Sequence, residues 1–237
     1  LAPVPAPEAP FPLLDAPADP EPTTEEEPVI APAPPPSEPA AELAGAPPID
    51  PFEAARERLH VAARAQDWPA AATALQEAGR LADDDRRHRL AAQDAGDFAR
   101  AQGRIDDAVE AYDQALAYAR LEGETDALSD ALINVGDMAC EEHRLDAAVA
   151  AYEEAVALRR DLAGADGGAE ARRRLALALE RLADVREDRG HRMRALDLYR
   201  ESAGLMAGLE QEAPDRFAAD AADTRGRLAE LEARVLA

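Results

Sequence analysis

One stretch of the chain occurs twice, forty residues apart, and this constrains the fold more than any other feature. Small residues and one Tyr return in the same order and the same register. The matching pairs are Gly96 and Gly136, Ala108 and Ala148, Tyr112 and Tyr152, and Ala115 and Ala155. A spacing that returns across several residue types marks a repeat unit. We therefore expect a stack of similar units, each contacting its neighbours.

Apolar residues within each unit recur at helical spacing on both sides of a short turn. In the first unit, Asp50 and Pro51 have the residue types of a helix start, and Phe52, Ala55 and Leu59 follow on one face. Strand patterns are absent from the sequence. The sequence predicts an all-α protein of antiparallel helix pairs. The predicted pairs span about 50–82, 83–122, 125–163 and 169–209, and a final helix spans about 215–236.

Residues 1–49 differ in composition from the rest of the chain. They hold sixteen of the nineteen prolines and nine carboxylates, and they contain no Arg. Such a segment buries too little apolar surface to offset its ordering entropy, so we expect a disordered tail or linker rich in Pro, Ala and Glu. The alternative is that Phe11–Leu14 or Pro28–Pro32 is a short docking motif. We assign residues 50–237 to one helical-repeat domain.

The charge of the chain limits its partners. The formal net charge is −23 and the pI is about 4.5, which disfavours nucleic acid and anionic membranes and favours a basic protein or peptide. The sequence contains no apolar run long enough to span a bilayer. All basic side chains other than His are Arg, which is typical of GC-rich bacterial genomes. A cytoplasmic location is favoured, although the chain begins at Leu1 and a signal could precede it.

The repeat resembles the tetratricopeptide repeat, a helix-turn-helix unit with small residues at the helix crossing and an aromatic residue in the second helix. The second unit matches through Gly96, Ala108 and Tyr112, and the third through Gly136 and Tyr152. Spacings of 37, 40 and 47 residues between successive second helices resemble the longer bacterial variants. The resemblance implies a right-handed superhelical solenoid of about four repeats, with the final helix as a cap or as half of a fifth repeat.

The resemblance also implies where a partner binds, because first helices of this family line a groove for a peptide. Projected onto this chain, that groove contains polar residues at three- and four-residue steps, together with one Ile. Asn134 occupies the position where an Asn of the family often bonds the peptide backbone. The predicted groove residues are Gln93, Asp94, Asp97, Arg100, Asp130, Ile133, Asn134, Asp137, Glu141, Glu180, Arg181, Asp184, Glu187 and Asp188.

Nine carboxylates and two arginines in this set predict an acidic groove. Such a groove favours a ligand with a basic segment. The alternative is that these are solvated faces of an acidic protein. The clamp that holds a carboxylate terminus in some members of the family needs basic residues at positions that are mostly acidic here, which argues against it.

Residues for catalysis or metal binding are sparse. His60, His88, His143 and His191 are scattered along the chain, and the single Cys140 is expected to be a partly buried structural thiol. Carboxylates are plentiful, but no pair stands out as an acid and a base. We therefore expect no enzyme activity, no cofactor and no metal ion.

The leading hypothesis is a scaffold or adaptor that binds another protein or peptide in the groove. One alternative is a sensory or regulatory domain of a larger signalling protein, with residues 1–49 as its linker. Another is a structural protein that self-associates end to end. A secretion chaperone is permitted by the fold and charge, but no particular residue supports it.

Overall fold

Nine α-helices make up most of the part of the chain that the computed structural model describes, residues 50–164 and 167–236. No strand occurs within these ranges. In chain order the helices are α1 Pro51–Arg64, α2 Trp68–Leu81, α3 Asp85–Ala101, α4 Ile105–Glu122, α5 Thr125–Glu141, α6 Leu145–Gly164, α7 Ala169–Asp188, α8 Arg192–Glu212 and α9 Pro214–Leu236. The all-α prediction is confirmed. The predictions for the tail, including Phe11–Leu14 and Pro28–Pro32, lie outside the described residues.

The first three helices begin at aspartates that cap them. Asp50 accepts a hydrogen bond from the Phe52 amide at 2.8 Å, and Asp84 accepts one from the Arg87 amide at 2.7 Å. Asp67 does the same for α2. Each bond satisfies one amide that the helix itself leaves without an acceptor.

The turns inside the four pairs share one backbone geometry. The second residue after each first helix has a positive φ, which is +70° at Gly103 and +79° at Gly190. Gln66 and His143 take the equivalent places, both with φ of +57°. Positive φ is unfavourable for residues with a side chain, so Gln66 and His143 are strained positions that the sequence pattern did not reveal.

The helices pack in chain order. The pairs α1–α2, α3–α4, α5–α6 and α7–α8 are the main packing units, and α4–α5, α6–α7 and α8–α9 join one unit to the next. Helices α2 and α3 join the first unit to the second, and their contact is less extensive than the other three junctions. This nearest-neighbour packing is that of a helical-repeat solenoid.

Close helix crossing inside the pairs depends on small residues. Ala108, Ala148 and Ala195 on the second helices are fully buried. The ring of Tyr112 fills the space over Gly96, and the ring of Tyr152 fills the space over Gly136. The repeated Gly, Ala and Tyr residues therefore set the crossing of the two helices.

The last two helices differ from the predicted boundaries. α8 continues to Glu212 instead of about residue 209, and α9 begins at Pro214, so a single residue, Ala213, joins them. Pro214 disfavours helical backbone at the residue before it and fits the first position of a new helix. Ala213 accordingly has φ of −149° and ψ of 78°. α9 packs on its neighbours through Phe217, Ala221 and Leu231.

Candidate functional site

The predicted groove residues lie on α3, α5 and α7, and most of them reach solvent at least in part. We call the accessible members the first-helix surface. They are Gln93, Asp97, Arg100, Asp130, Asn134, Asp137, Glu141, Arg181, Asp184, Glu187 and Asp188. The role of this surface in binding stays a prediction, whereas the contacts of its side chains can be described.

Three of the groove residues expected at the surface are buried instead. Asp94 is 3% exposed, Ile133 is 6% exposed and Glu180 is 7% exposed. When the repeats are aligned by their shared Ala and Tyr residues, which we call the repeat register, Ile133 and Glu180 align with the half-buried Gln93. That position faces the next first helix, as the 2.6 Å hydrogen bond from Thr224 of α9 to Glu180 shows. Helical periodicity alone does not reveal this neighbour.

One hydrogen bond recurs in three of the four pairs and fixes the aspartates of the first-helix surface. A tyrosine of the second helix donates to an aspartate fifteen residues earlier, on the first helix. The donor and acceptor pairs are Tyr112 and Asp97, Tyr152 and Asp137, and Tyr199 and Asp184. Burial raises the pKa of all three tyrosines, so the phenols remain protonated donors.

Loss of hydration also acts on two of the acceptors. It raises the pKa of Asp97 and of Asp184 above the ordinary value of 3.8, and the tyrosine hydrogen bond opposes the shift in each case. Both residues still have exposed surface. These carboxylates are therefore held in orientation by the fold while they face solvent.

Arginines from neighbouring repeats cross-link the first helices. The Arg56 Nε lies 2.6 Å from Asp94 Oδ2, and Arg100 lies 2.5 Å from Glu141. Each of these bridges joins one repeat to the next. Further bridges of this kind are Arg181 to Asp137, Arg227 to Asp184 and Arg234 to Glu187. They connect first helices whose direct packing is sparse.

A buried arginine organises the junction of α5, α6 and α7. Arg159 on α6 is 8% exposed and donates to the Ser129 hydroxyl, to the Arg174 carbonyl and to Asp130. Arg174 also pairs with Asp130. Burial lowers the pKa of Arg159, and the Asp130 carboxylate opposes that shift. Asp130 is therefore engaged by two arginines and is part of the scaffold.

These contacts change the charge of the predicted groove. The nine carboxylates were expected to face two arginines, Arg100 and Arg181. Five others reach the same carboxylates from neighbouring helices, namely Arg56, Arg159, Arg174, Arg227 and Arg234. Sequence reasoning missed these five. Arg174 and Asp130, and Arg181 and Asp137, are each 44 residues apart, so a search at about one repeat length could have found such pairs.

A few polar groups of the first-helix surface make no side-chain hydrogen bond or ion pair within residues 50–164 and 167–236. They are the Gln93 and Asn134 amides and the Asp188 carboxylate. In the repeat register Asn134 corresponds to Asp94 and Arg181, both of which are ion-paired. Asn134 therefore stands out as a half-buried amide with unused donors and an unused acceptor at the centre of the surface.

The residues that could carry other chemistry are placed apart. The Cys140 Sγ lies 3.7 Å from the Tyr152 hydroxyl, and burial raises the pKa of its thiol. His60 contacts Asp94 at 3.2 Å, and His88 stacks on Tyr118 with ring centroids 5.0 Å apart. In the described part of the chain, no three His, Cys, Asp or Glu side chains cluster as a metal site would require. None of the described helices is both long and apolar enough to cross a bilayer.

Comparison with known proteins identifies the repeat. The family model of the tetratricopeptide repeat matches residues 89–161, which cover α4, α5 and most of α3 and α6. Members of this family generally mediate protein–protein interactions and are typically non-catalytic. A comparison with curated protein sequences gave no match.

Solved structures share the fold at low sequence identity. BtubC (BKLC) from P. vanneervenii is 17% identical over 77% of this chain and 80% of its own, with a TM-score of 0.58. A putative kinesin light chain with TPR-like repeats from Podosopora anserina is 13% identical over 78% and 94%, with a TM-score of 0.53.

A third similar structure belongs to a much longer protein. A signal transduction ATPase with numerous domains and a tetratricopeptide-repeat sensor, from Pyrococcus horikoshii, is 14% identical with a TM-score of 0.60. The alignment covers 75% of this chain but only 27% of that one. Residues 89–161 of the chain match the tetratricopeptide-repeat family, and the described part of the chain shares the fold of tetratricopeptide-repeat proteins.

Proposed function

We propose that this chain is a non-catalytic scaffold that binds an extended peptide segment of a partner protein along the first-helix surface. The observation that carries the proposal is Asn134. Its amide can donate to a peptide carbonyl and accept from a peptide N–H, and no described side chain satisfies it. The Asn134 amide atoms reach solvent, so a peptide backbone can replace the water that satisfies them.

The groups around Asn134 support a pre-organised site. Asp97 and Asp137 are held in place by tyrosines of their own repeats, and Arg181 is held by Asp137. Because these side chains are already ordered, a ligand would lose less free energy in fixing them. The arrangement therefore favours binding of the peptide main chain. Groups at the edges of the first-helix surface would decide which side chains of the ligand are preferred.

The remaining charge decides which side chains of a ligand are preferred. Within the described residues, Asp97 and Asp188 have no arginine in an ion pair, and Asp184 has one only at 3.6 Å. We propose that the ligand places one or two basic side chains near these carboxylates. This is a weaker preference than the sequence predicted, because arginines balance most of the other carboxylates.

A second candidate function is a sensor role, which is the role of the tetratricopeptide repeats in the Pyrococcus horikoshii ATPase. The similarity of fold to a repeat array inside a larger signalling protein favours it. In that case the same surface would bind a signal molecule or a regulated domain, and residues 1–49 would connect it to other parts of a longer protein.

Selection from a phage-displayed random peptide library on the full 237-residue chain tests the proposal. Enriched peptides should carry Arg or Lys. Their affinity should fall for the variant Asn134→Ala/Asp188→Arg. The control Gln114→Ala/Asp113→Arg makes the same kinds of change on the exposed face of α4 and should bind as the wild type does. Failure to enrich any peptide, or equal weakening by both variants, would contradict the proposal.

A further inference from the structure

The turn between α7 and α8 carries positive charge in a strongly acidic protein. We call residues 189–194 the α7–α8 corner. His191, Arg192, Met193 and Arg194 are all exposed there, and Met193 is 58% exposed. Arg189 is paired with Asp146 of α6, so its charge is already balanced. The first-helix surface does not include any of these residues.

Unpaired arginines are rare in this structure. Nearly every arginine of the described residues lies in an ion pair with Asp or Glu. The exceptions are Arg80, Arg86, Arg192 and Arg194. In a chain with a net charge of −23, carboxylates are abundant, so two unpaired arginines within three residues are unexpected.

Arg192 replaces an apolar residue that helps to build the other repeats. In the repeat register its counterparts are Ile105 and Leu145, and each packs against a core cluster at the start of its second helix. Arg192 is exposed. The fourth repeat therefore lacks the apolar contact that Ile105 and Leu145 make in the second and third repeats.

The positive charges of Arg192 and Arg194 also lie at a position that is unfavourable for the stability of α8. Arg192 and Arg194 lie in the first turn of α8, which contains no acidic residue, whereas α4 begins with Asp106 and Asp107. Positive side chains at a helix start are disfavoured by the helix dipole. Residues that break a local stability rule without a compensating contact are candidates for a functional role.

We propose that the α7–α8 corner is a second docking surface, for a short acidic segment of a protein partner. Carboxylates of that segment would pair with Arg192 and Arg194, and an apolar side chain would cover Met193. The surroundings favour a short segment over a long polyanion. Asp197 lies near Arg194 and has no ion pair within the described residues, so a long nucleic acid or an anionic membrane would meet this carboxylate as well as the two arginines.

Fluorescence polarisation of a short labelled peptide of alternating Glu and Leu, titrated with the full chain at low salt, tests this proposal. The variant Arg192→Leu/Arg194→Glu should weaken binding by about tenfold or more, because two charge-assisted contacts are lost. The same variant should raise the melting temperature, since it restores an apolar residue and an acidic first turn. A residue with only a structural role would not give this opposite pair of effects.

The other unpaired arginines provide a matched control. The variant Arg80→Leu/Arg86→Glu makes the same substitutions and the same change of net charge, and it should bind the peptide as the wild type does. The variant Asn134→Ala should also retain binding, which separates this surface from the first-helix surface. If the main variant does not fold, Arg192→Gln/Arg194→Gln removes both charges conservatively and should also weaken binding.

Three results would overturn the proposal. The first is no binding of the peptide by the wild type. The second is equal weakening by the corner variant and by the Arg80 and Arg86 control, which would indicate a general charge effect. The third is tighter binding of a single-stranded oligonucleotide or of phosphatidylserine vesicles than of the peptide.

Discussion

The ring of Tyr112 occupies the space that a side chain on Gly96 would need. A β-carbon at Gly96 would stand 2.6 Å from Tyr112 Cε1, well inside van der Waals contact. The same relationship joins Gly136 and Tyr152. The fourth repeat has the buried Ala183 at this position and keeps the hydrogen bond from Tyr199 to Asp184.

The variant Gly96→Ala should therefore destabilise the protein, by about 1–3 kcal/mol, because the α3–α4 crossing must open or the ring must move. Chemical denaturation measures this change. The control is Gly79→Ala on α2, where nothing lies within 4 Å of the added carbon. That control should raise the free energy of unfolding by about 0.5–1 kcal/mol through helix propensity. Equal effects at the two glycines would contradict the packing described for Tyr112.

The Tyr152 hydroxyl donates to Asp137 Oδ1 at 2.6 Å and contacts the Cys140 thiol. The variant Tyr152→Phe keeps the ring and removes the donor. It should lower the free energy of unfolding by about 1–2 kcal/mol, since a partly desolvated carboxylate loses a hydrogen bond. The comparison is Tyr118→Phe, whose hydroxyl makes no side-chain hydrogen bond among the described residues and which should cost less. A loss no larger than that of Tyr118→Phe would argue against this bond.

The ion pair between Arg56 and Asp94 links the first repeat to the second. Asp94 is 3% exposed, so Arg56→Ala would leave a buried carboxylate with only His60 beside it. We expect a loss of about 3 kcal/mol in the free energy of unfolding. Arg58→Ala on the same helix breaks an exposed pair with Glu77 and should cost less than about 1 kcal/mol. Adding Asp94→Asn to Arg56→Ala should recover part of the loss, and failure to do so would contradict the account.

Asp97 provides a prediction about pH. Its pKa in the folded state is raised above 3.8 by loss of hydration, so the folded protein binds this proton more tightly than the unfolded chain does. The contribution of Asp97 to stability is therefore fully present below pH 3.8 and is lost as the pH rises through the folded pKa. Relative to Asp97→Asn, the wild type should gain free energy of unfolding as the pH falls through this window.

Denaturation of both proteins across that pH range measures the difference. The matched control is Asp113→Asn on the exposed face of α4, which removes a carboxylate that makes no side-chain hydrogen bond or ion pair within the described residues. A difference between the wild type and Asp97→Asn that stays flat with pH would show that Asp97 is hydrated as in the unfolded chain.

The sequence predicted the scaffold well because the residues that build it act locally. Gly136 and Tyr152 recur at fixed spacing, and the helices between them show apolar periodicity. The contacts between repeats were harder to predict. The burial of Ile133 and the reach of Arg174 to Asp130 depend on how one first helix lies against the next, and helical periodicity within one helix carries no information about this. The positive φ of Gln66 and His143 could not be predicted either, since neither residue type requires this backbone conformation.

Binding of the partner peptide to the first-helix surface should protect backbone amides there from exchange with solvent. The most direct measurement is amide hydrogen–deuterium exchange of the full chain with and without a peptide selected from the library. We expect protection in the segments of α3, α5 and α7 that contain Gln93, Asn134 and Asp188, with no change on α4 around Asp113. Protection on the second helices with none around Asn134 would contradict it.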